Sequence, residues 1–145
     1  MQSPVKRSKK DQLQEVLHLL EEVDLPTDEV EKFFHDFLLI SDESGVAGCI
    51  GLEVYGSVAL LRSLAVKPGL QKKGYGRALL DAVLEDAIKR GITEVYLLTD
   101  TAETFFTLRG FQRADRSTAP DAISRTQEFS ELCPSSSAFM LIRLS

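Results

Sequence analysis

The feature that most constrains this fold is an apolar run, residues 58–66, that stops at Pro68-Gly69 and resumes as a helix after Gly74-Tyr75-Gly76. The run is rich in Val, Leu and Ala, with Arg62 and Ser63 as its polar members, and reads as a strand. Proline and glycine end it because neither continues a ladder easily. Gly74 and Gly76 remove side chains where the backbone must turn tightly or come close to something. Beyond them Leu79, Leu80, Val83, Leu84, Ala87 and Ile88 recur at helical spacing, and Gly91 supplies the stop. A glycine turn between strand and helix gathers free N–H groups at the positive end of the helix dipole. It is a ready anion site.

Against a formal net charge of −5, Lys72, Lys73 and Arg77 form a basic cluster at this turn. Cations at a helix start oppose the dipole, so the cluster makes more sense as a phosphate site than as a solvated face. The third glycine and distant acid of the dinucleotide fingerprint are missing, as is the Gly-Lys-Ser/Thr ending of a P-loop. What remains is Lys67-Pro68 followed by Gln71-Lys72-Lys73-Gly74-Tyr75-Gly76. This pattern resembles the acetyl-CoA motif of the GNAT-type N-acetyltransferases. The resemblance implies that the loop amides of Gln71, Lys72, Lys73, Gly74, Tyr75, Gly76 and Arg77 hold the pyrophosphate of coenzyme A. It also implies that the backbone of Leu64, Ala65 and Val66 pairs with the pantetheine arm. A second match supports it: Ala102-Glu103-Thr104-Phe105-Phe106-Thr107-Leu108-Arg109-Gly110-Phe111 is similar to the family's second motif. Phe106 should then face the cofactor, where many members carry a Tyr that protonates the departing thiolate. Phe106 has no proton to give.

Length sets one domain with a single core. Residues 1–10 are polar and basic and are expected to be mobile, with the acetyltransferase domain at 11–145. The two cysteines, Cys49 and Cys133, are too few for a disulfide framework and fit a reducing cytosol. No stretch approaches the roughly 18 apolar residues of a membrane span. The acidic balance argues against nucleic acid, and no metal site is expected. Homodimerisation is compatible with the family's habit.

In chain order, Asp11 is expected to cap a first helix with Gln14 in capping-box position, and Pro26-Thr27 to open a second. His18 and His35 lie in these helices and read as structural. Strands follow at 37–40, 46–55 and 58–66 as an antiparallel meander, then the glycine-turn helix, a strand at 94–98, a short helix, a strand from Phe111 and a last strand at 138–144. This order gives an α/β (α+β layered) sandwich with a central mixed, mostly antiparallel sheet flanked by helices.

Acetyl transfer needs a neutral amine, a polarised thioester carbonyl and a stabilised leaving thiolate. The amides near Leu64 and Val66 are the expected carbonyl donors by resemblance. Glu53 is the first candidate for the base, on the strand preceding the central one. Ser63, Tyr96, Thr99, Cys133 or water could serve the thiolate. Arg62 is a charge in an apolar strand, which is costly unless paired. Its fork suits a substrate carboxylate, and the alternative is an internal salt bridge to Glu53. Residues 112–137 form a long polar insertion carrying Arg125 and Cys133, which are further candidates to contact substrate. Leu132-Cys133-Pro134 and the serines after it, with Leu61-Arg62-Ser63-Leu64-Ala65-Val66, resemble the small acetyltransferases of arsenic-resistance operons, themselves similar to the acetyltransferase domain of N-acetylglutamate synthase. These imply a small amino-acid-like substrate. Peptide or protein acetylation, and an acyl-CoA-binding sensor without turnover, are the competing functions.

Overall fold

The computed structural model describes residues 4–132 and 137–144. Strand β1 (Val5–Arg7) precedes helices α1 (Leu13–Glu22) and α2 (Val30–Phe33) and the meander β2 (Phe37–Asp42), β3 (Gly45–Tyr55) and β4 (Val58–Val66). Helix α3 (Tyr75–Lys89) leads to β5 (Glu94–Thr99), α4 (Glu103–Leu108), β6 (Gln112–Arg113), α5 (Asp121–Ser124) and β7 (Ala138–Arg143). The strands form one seven-stranded sheet in the order β1-β2-β3-β4-β5-β7-β6. Only β4 and β5 run parallel, because α3 carries the chain back across the sheet between them. The architecture is the helix-flanked mixed sandwich that the element order implied.

Alternation along the strands sends side chains to two layers. Leu38, Leu52, Ala59, Leu61, Val95, Leu97 and Met140 pack under Leu79, Leu80, Val83 and Ala87 of α3. Phe37, Leu39, Cys49 and Ala65 face the other way, against Val16, Leu19, Leu20 and Val30. Further along that second face, Leu60, Tyr96 and Phe139 are roofed by Ile123 of α5. Gly51 has a packing reason to be glycine, since a Cβ there would collide with the Phe37 ring lying across β3.

Three expectations change. Residues 5–7 are a strand, not a mobile tail: Val5, Lys6 and Arg7 pair with Ile40, Leu39 and Leu38 and satisfy the outer edge of an apolar strand. The first helix is entered through Lys9, whose N–H donates to Gln12 Oε1 at 2.9 Å, so the capping partner comes two residues earlier than Gln14. The second helix starts at Val30, after Glu29 at φ 61°, and lasts one turn before a 3₁₀ turn, Phe34–Asp36. The insertion is folded, with a 3₁₀ turn at Arg116–Thr118, α5 and a π-helical turn at Glu128–Leu132.

Candidate active site

The sheet opens at its centre. Strand β4 pairs with β5 at Val58↔Glu94, Ala59↔Val95 and Leu60↔Tyr96, and there the ladder stops. Beyond Tyr96, β5 continues beside β7 as far as Thr99↔Ala138, so the two strands diverge into a wedge. A bulge in β4 widens it: Gly51 faces Arg62 but Cys49 faces Ala65, which gives β4 one extra residue over this span. Ser63 sits in that bulge at φ 60°. The extra residue shifts the phase of β4, so Ala59 and Leu61 face α3 before it, and Leu64 and Val66 after it. Lys67 N–H donates to Ala47 C=O at 2.8 Å. By alternation, the amides of Val66 and Leu64 therefore point away from β3, into the wedge. Ala65 turns the opposite way, its side chain buried toward α1.

The glycine turn stands at the head of this wedge. Gln71–Lys73 make a 3₁₀ turn and Gly74, at φ 80°, is the N-cap of α3, with no side-chain cap among the described residues. The first-turn N–H groups are thus left for a ligand. Lys72 and Lys73 are exposed, and Arg77, also exposed, lies 4.0 Å from Asp81. Gln71 Nε2 approaches Val66 C=O at 3.5 Å. A Cβ on Gly76 would meet Val66 and Phe105 at 3.9 and 3.8 Å. The ring beside the turn is therefore that of Phe105. Phe106 is a core residue, edge-on to Phe105 and Phe111, and does not line the wedge as the second motif implied. A buried Phe fills the place of a phenol whose hydroxyl would have needed a partner.

On the opposite face of the sheet lies a buried charge cluster. The side chains of Arg62 and Glu53 are each 1% exposed, with Nη1 2.8 Å from Oε2. Arg62 Nη2 donates to the Asp28 carbonyl at 2.7 Å and lies 3.4 Å from Glu128 Oε1. Its Nε donates to Ser63 Oγ at 3.1 Å. The guanidinium thus ties together β3, the α1–α2 loop, the bulge and the insertion. This corrects the view of Arg62 as a direct substrate clamp: its fork is spent on the protein's own acceptors. The other oxygen of Glu53, Oε1, accepts from Tyr55 OH at 2.6 Å. Burial first, then the bond to Glu53, pushes the Tyr55 phenol well above the ordinary range.

Above the cluster is an open pocket of about 350 Å³ lined by Glu29, Lys32, Tyr55, Ala122, Arg125, Thr126 and Gln127. Arg125 is exposed, and its guanidinium has no partner among the described residues. Lys32 is 3.5 Å from Glu29. Of the thiolate candidates, Tyr96 donates to Glu94 on the paired part of β5, and burial with that bond raises it to about 12. Its ring stacks on Phe139 on the second face of the sheet. Thr99 Oγ1 accepts from Ala102 N–H in the turn that precedes α4. Ser63 Oγ accepts from Arg62, so its own hydrogen is uncommitted among the described residues. Cys133 lies outside the described residues. Sequence reasoning missed Tyr55, Lys32, Phe105 and Glu128. For Tyr55 a signal existed, because it stands two residues beyond Glu53 and so shares its face.

Comparison with known proteins gives a consistent picture. The family model described as acetyltransferase (GNAT) family matches residues 9–111. An amino-acid acetyltransferase of Neisseria meningitidis is 28% identical over 94 residues, 63% of this chain and 22% of that protein. The chain therefore spans about a fifth of such a relative's length. N-acetylglutamate synthase of Neisseria gonorrhoeae, complexed with coenzyme A and N-acetyl-glutamate, superposes with a TM-score of 0.83 at 22% identity, covering 97% of this chain and 35% of that one. A Mycobacterium tuberculosis protein in complex with CoA superposes equally well, 0.83 at 21% identity, over 97% of this chain and 99% of that one. At these identities the superpositions speak for the fold.

Proposed function

From a chain that belongs to the GNAT acetyltransferase family, we propose an enzyme that transfers the acetyl group of acetyl-CoA to the primary amine of a small, amino-acid-like substrate in a ternary complex. The observation that carries this reading is the wedge: β4 leaves β5 after Leu60↔Tyr96, and its free end at Val66 lies beside a helix start with no side-chain cap among the described residues. An extended pantetheine arm fits there as a missing strand, bonded to the Leu64 and Val66 amides. The first-turn amides of α3 then receive the pyrophosphate, with Lys72, Lys73 and Arg77 adding charge.

The amides at the bulge polarise the thioester carbonyl, and the Ser63 hydroxyl offers its free hydrogen to the departing sulfur. Thiolates leave readily, so a strong acid is not required and the loss of the phenol at Phe106 is tolerated. Glu53 is the base, held as a carboxylate partner of Arg62. Arg125 and Lys32 hold the carboxylate of the amine substrate at the pocket rim, a task suited to exposed cations rather than to the enclosed Arg62. Among the described residues no helix is long and apolar enough to cross a membrane. We take the protein to act in the cytoplasm.

The test is CoA release from acetyl-CoA across glutamate, other free amino acids, phosphinothricin-like analogues, polyamines and short peptides. Turnover confined to amines that carry an acidic group supports the reading. Turnover on peptides alone overturns the small-amine substrate, and CoA binding without release from any amine makes the protein a binding module.

A further inference from the structure

Glu53 poses a difficulty as a base. Its side chain is 1% exposed, and Arg62 and Tyr55 occupy its two oxygens. An amine in the pocket cannot touch it. Tyr55 can be touched: its side chain lines the pocket beside Arg125, Lys32 and Glu29, while its hydroxyl donates to Glu53 Oε1 at 2.6 Å. Among the described residues, the phenol alone belongs to both the pocket wall and the buried cluster.

We propose that Tyr55 is a catalytic residue, the relay through which the amine proton reaches Glu53. The inference rests on the acetyl-transfer reading above. As the amine nitrogen bonds to the thioester carbonyl carbon, the carbonyl π pair moves to oxygen and the nitrogen becomes positively charged. One N–H proton passes to Tyr55 Oη while the phenolic proton passes to Glu53 Oε1. The oxygen pair then re-forms the carbonyl, the C–S bond breaks, and the thiolate leaves with its electron pair. Glu53 returns its proton through Tyr55 to pocket water, from which the thiolate is reprotonated. At no stage is a phenolate required, which agrees with an environment that opposes Tyr55 ionisation.

The surroundings suit a relay. The Tyr55 backbone is fixed in register opposite Val58 at the closed end of the β3–β4 hairpin. Its ring packs edge-on to Phe33 with centroids 6.3 Å apart, which restrains the hydroxyl's swing. Arg62 stays cationic on the far side of Glu53, so the carboxylate gains and loses a proton without becoming an unpaired buried charge. A direct carboxylate base would have to be exposed and would forfeit that partner. The relay lets the base remain dry.

Steady-state kinetics of the wild type, Tyr55→Phe, Glu53→Gln and the double variant on an amino-acid substrate, with rates in mixed light and heavy water, test this. Tyr55→Phe should lower kcat by about a hundredfold and leave acetyl-CoA affinity unchanged in calorimetry, which also shows that it folds. The double variant should be no slower than the slower single variant, because the two residues act as one unit. The heavy-water dependence should be curved in the wild type, where two protons move together, and linear in Tyr55→Phe. Full kcat in Tyr55→Phe, multiplying losses in the double variant, or a linear dependence in the wild type would each overturn the relay while leaving acetyl transfer intact. Absence of wild-type turnover on every amine would instead overturn the acetyl-transfer reading, and the relay with it.

Discussion

The two halves of the proposed site are made of different materials. The cofactor half is one continuous piece of chain, from the bulge at Ser63 through Val66 to the first turn of α3, and it offers backbone amides shaped by the left-handed Ser63 and Gly74. The amine half is assembled from the side chains of Glu53, Tyr55, Arg62 and Glu128 with the backbone carbonyl of Asp28, and buried charge holds it together. A half built of backbone depends on conformation and tolerates changes in its side chains. A half built of buried charges depends on every member having its partner. Damage to the first should appear as lost ligand affinity, and damage to the second as lost stability.

Arg62→Ala should give the largest effect. It leaves Glu53 facing a dry space without its cation, and breaking a buried pair in this way costs about 3–5 kcal/mol. Urea denaturation should show the midpoint falling steeply. Adding Glu53→Gln should recover part of the loss, since the neutral amide needs no counter-ion. A midpoint equal to the wild type's would break the contrast between the halves at once.

Gly74→Val comes next and probes the other half. A β-branched residue at φ 80° is strained by about 1–2 kcal/mol, although nothing lies in the way of its Cβ. Relief comes by moving the turn, which misaims the amides of α3. Calorimetry should show acetyl-CoA affinity falling by more than about tenfold, the equivalent of about 1.4 kcal/mol, with the urea midpoint changed far less than in Arg62→Ala. The reverse pattern, intact affinity and lost stability, would remove the anion site from this turn.

The same contrast explains what was legible in the sequence. Strand, turn and helix of the cofactor half are neighbours in the chain, so glycines, periodicity and cations expose it without any knowledge of tertiary contacts. The charge cluster joins residues from Asp28 to Glu128, and no local pattern announces that Arg62 will be shared among them. Arg62 was visible as an anomaly in an apolar strand, but both a substrate and an internal partner satisfied that anomaly on paper. Phe106 misled for a related reason: a motif fixes the position in α4 but not which of two adjacent rings turns to the wedge. Strand β1 was hidden because Val5-Lys6-Arg7 is polar, and only the unpaired edge of β2 makes a strand of it.

Arg125→Ala should have a more modest effect, confined to the amine half and to its rim. Arg125 is exposed and bears no structural partner among the described residues, so stability should be unchanged. Losing one charge-assisted hydrogen bond to a substrate carboxylate is worth about 1.5–3 kcal/mol. KM for an amino acid should therefore rise by at least about tenfold, with KM for acetyl-CoA unaltered. Amines without an acidic group should be handled alike by both proteins. Equal KM values for all amines would move the carboxylate contact elsewhere and leave the pocket defined by shape.

The smallest effect lies at the seam between the halves, where Cys49 is buried under the bulge and donates to Ser63 C=O at 3.2 Å. Burial pushes its thiol up to about 12, against about 8.5 for a free cysteine. The native state thus holds a proton that the unfolded chain releases. The stability from this group is complete below about pH 8.5 and falls as pH rises toward the native value. Urea midpoints of the wild type should decline from roughly pH 8.5 to 10, and those of Cys49→Ala should decline less over the same window. Tyr96, raised for the same reason, adds a further decline only above about pH 10 and is common to both proteins. A wild-type curve no steeper than that of Cys49→Ala would mean that the native thiol ionises freely. Water would then reach the seam, and the bulge carrying Ser63 would belong to the open half of the site.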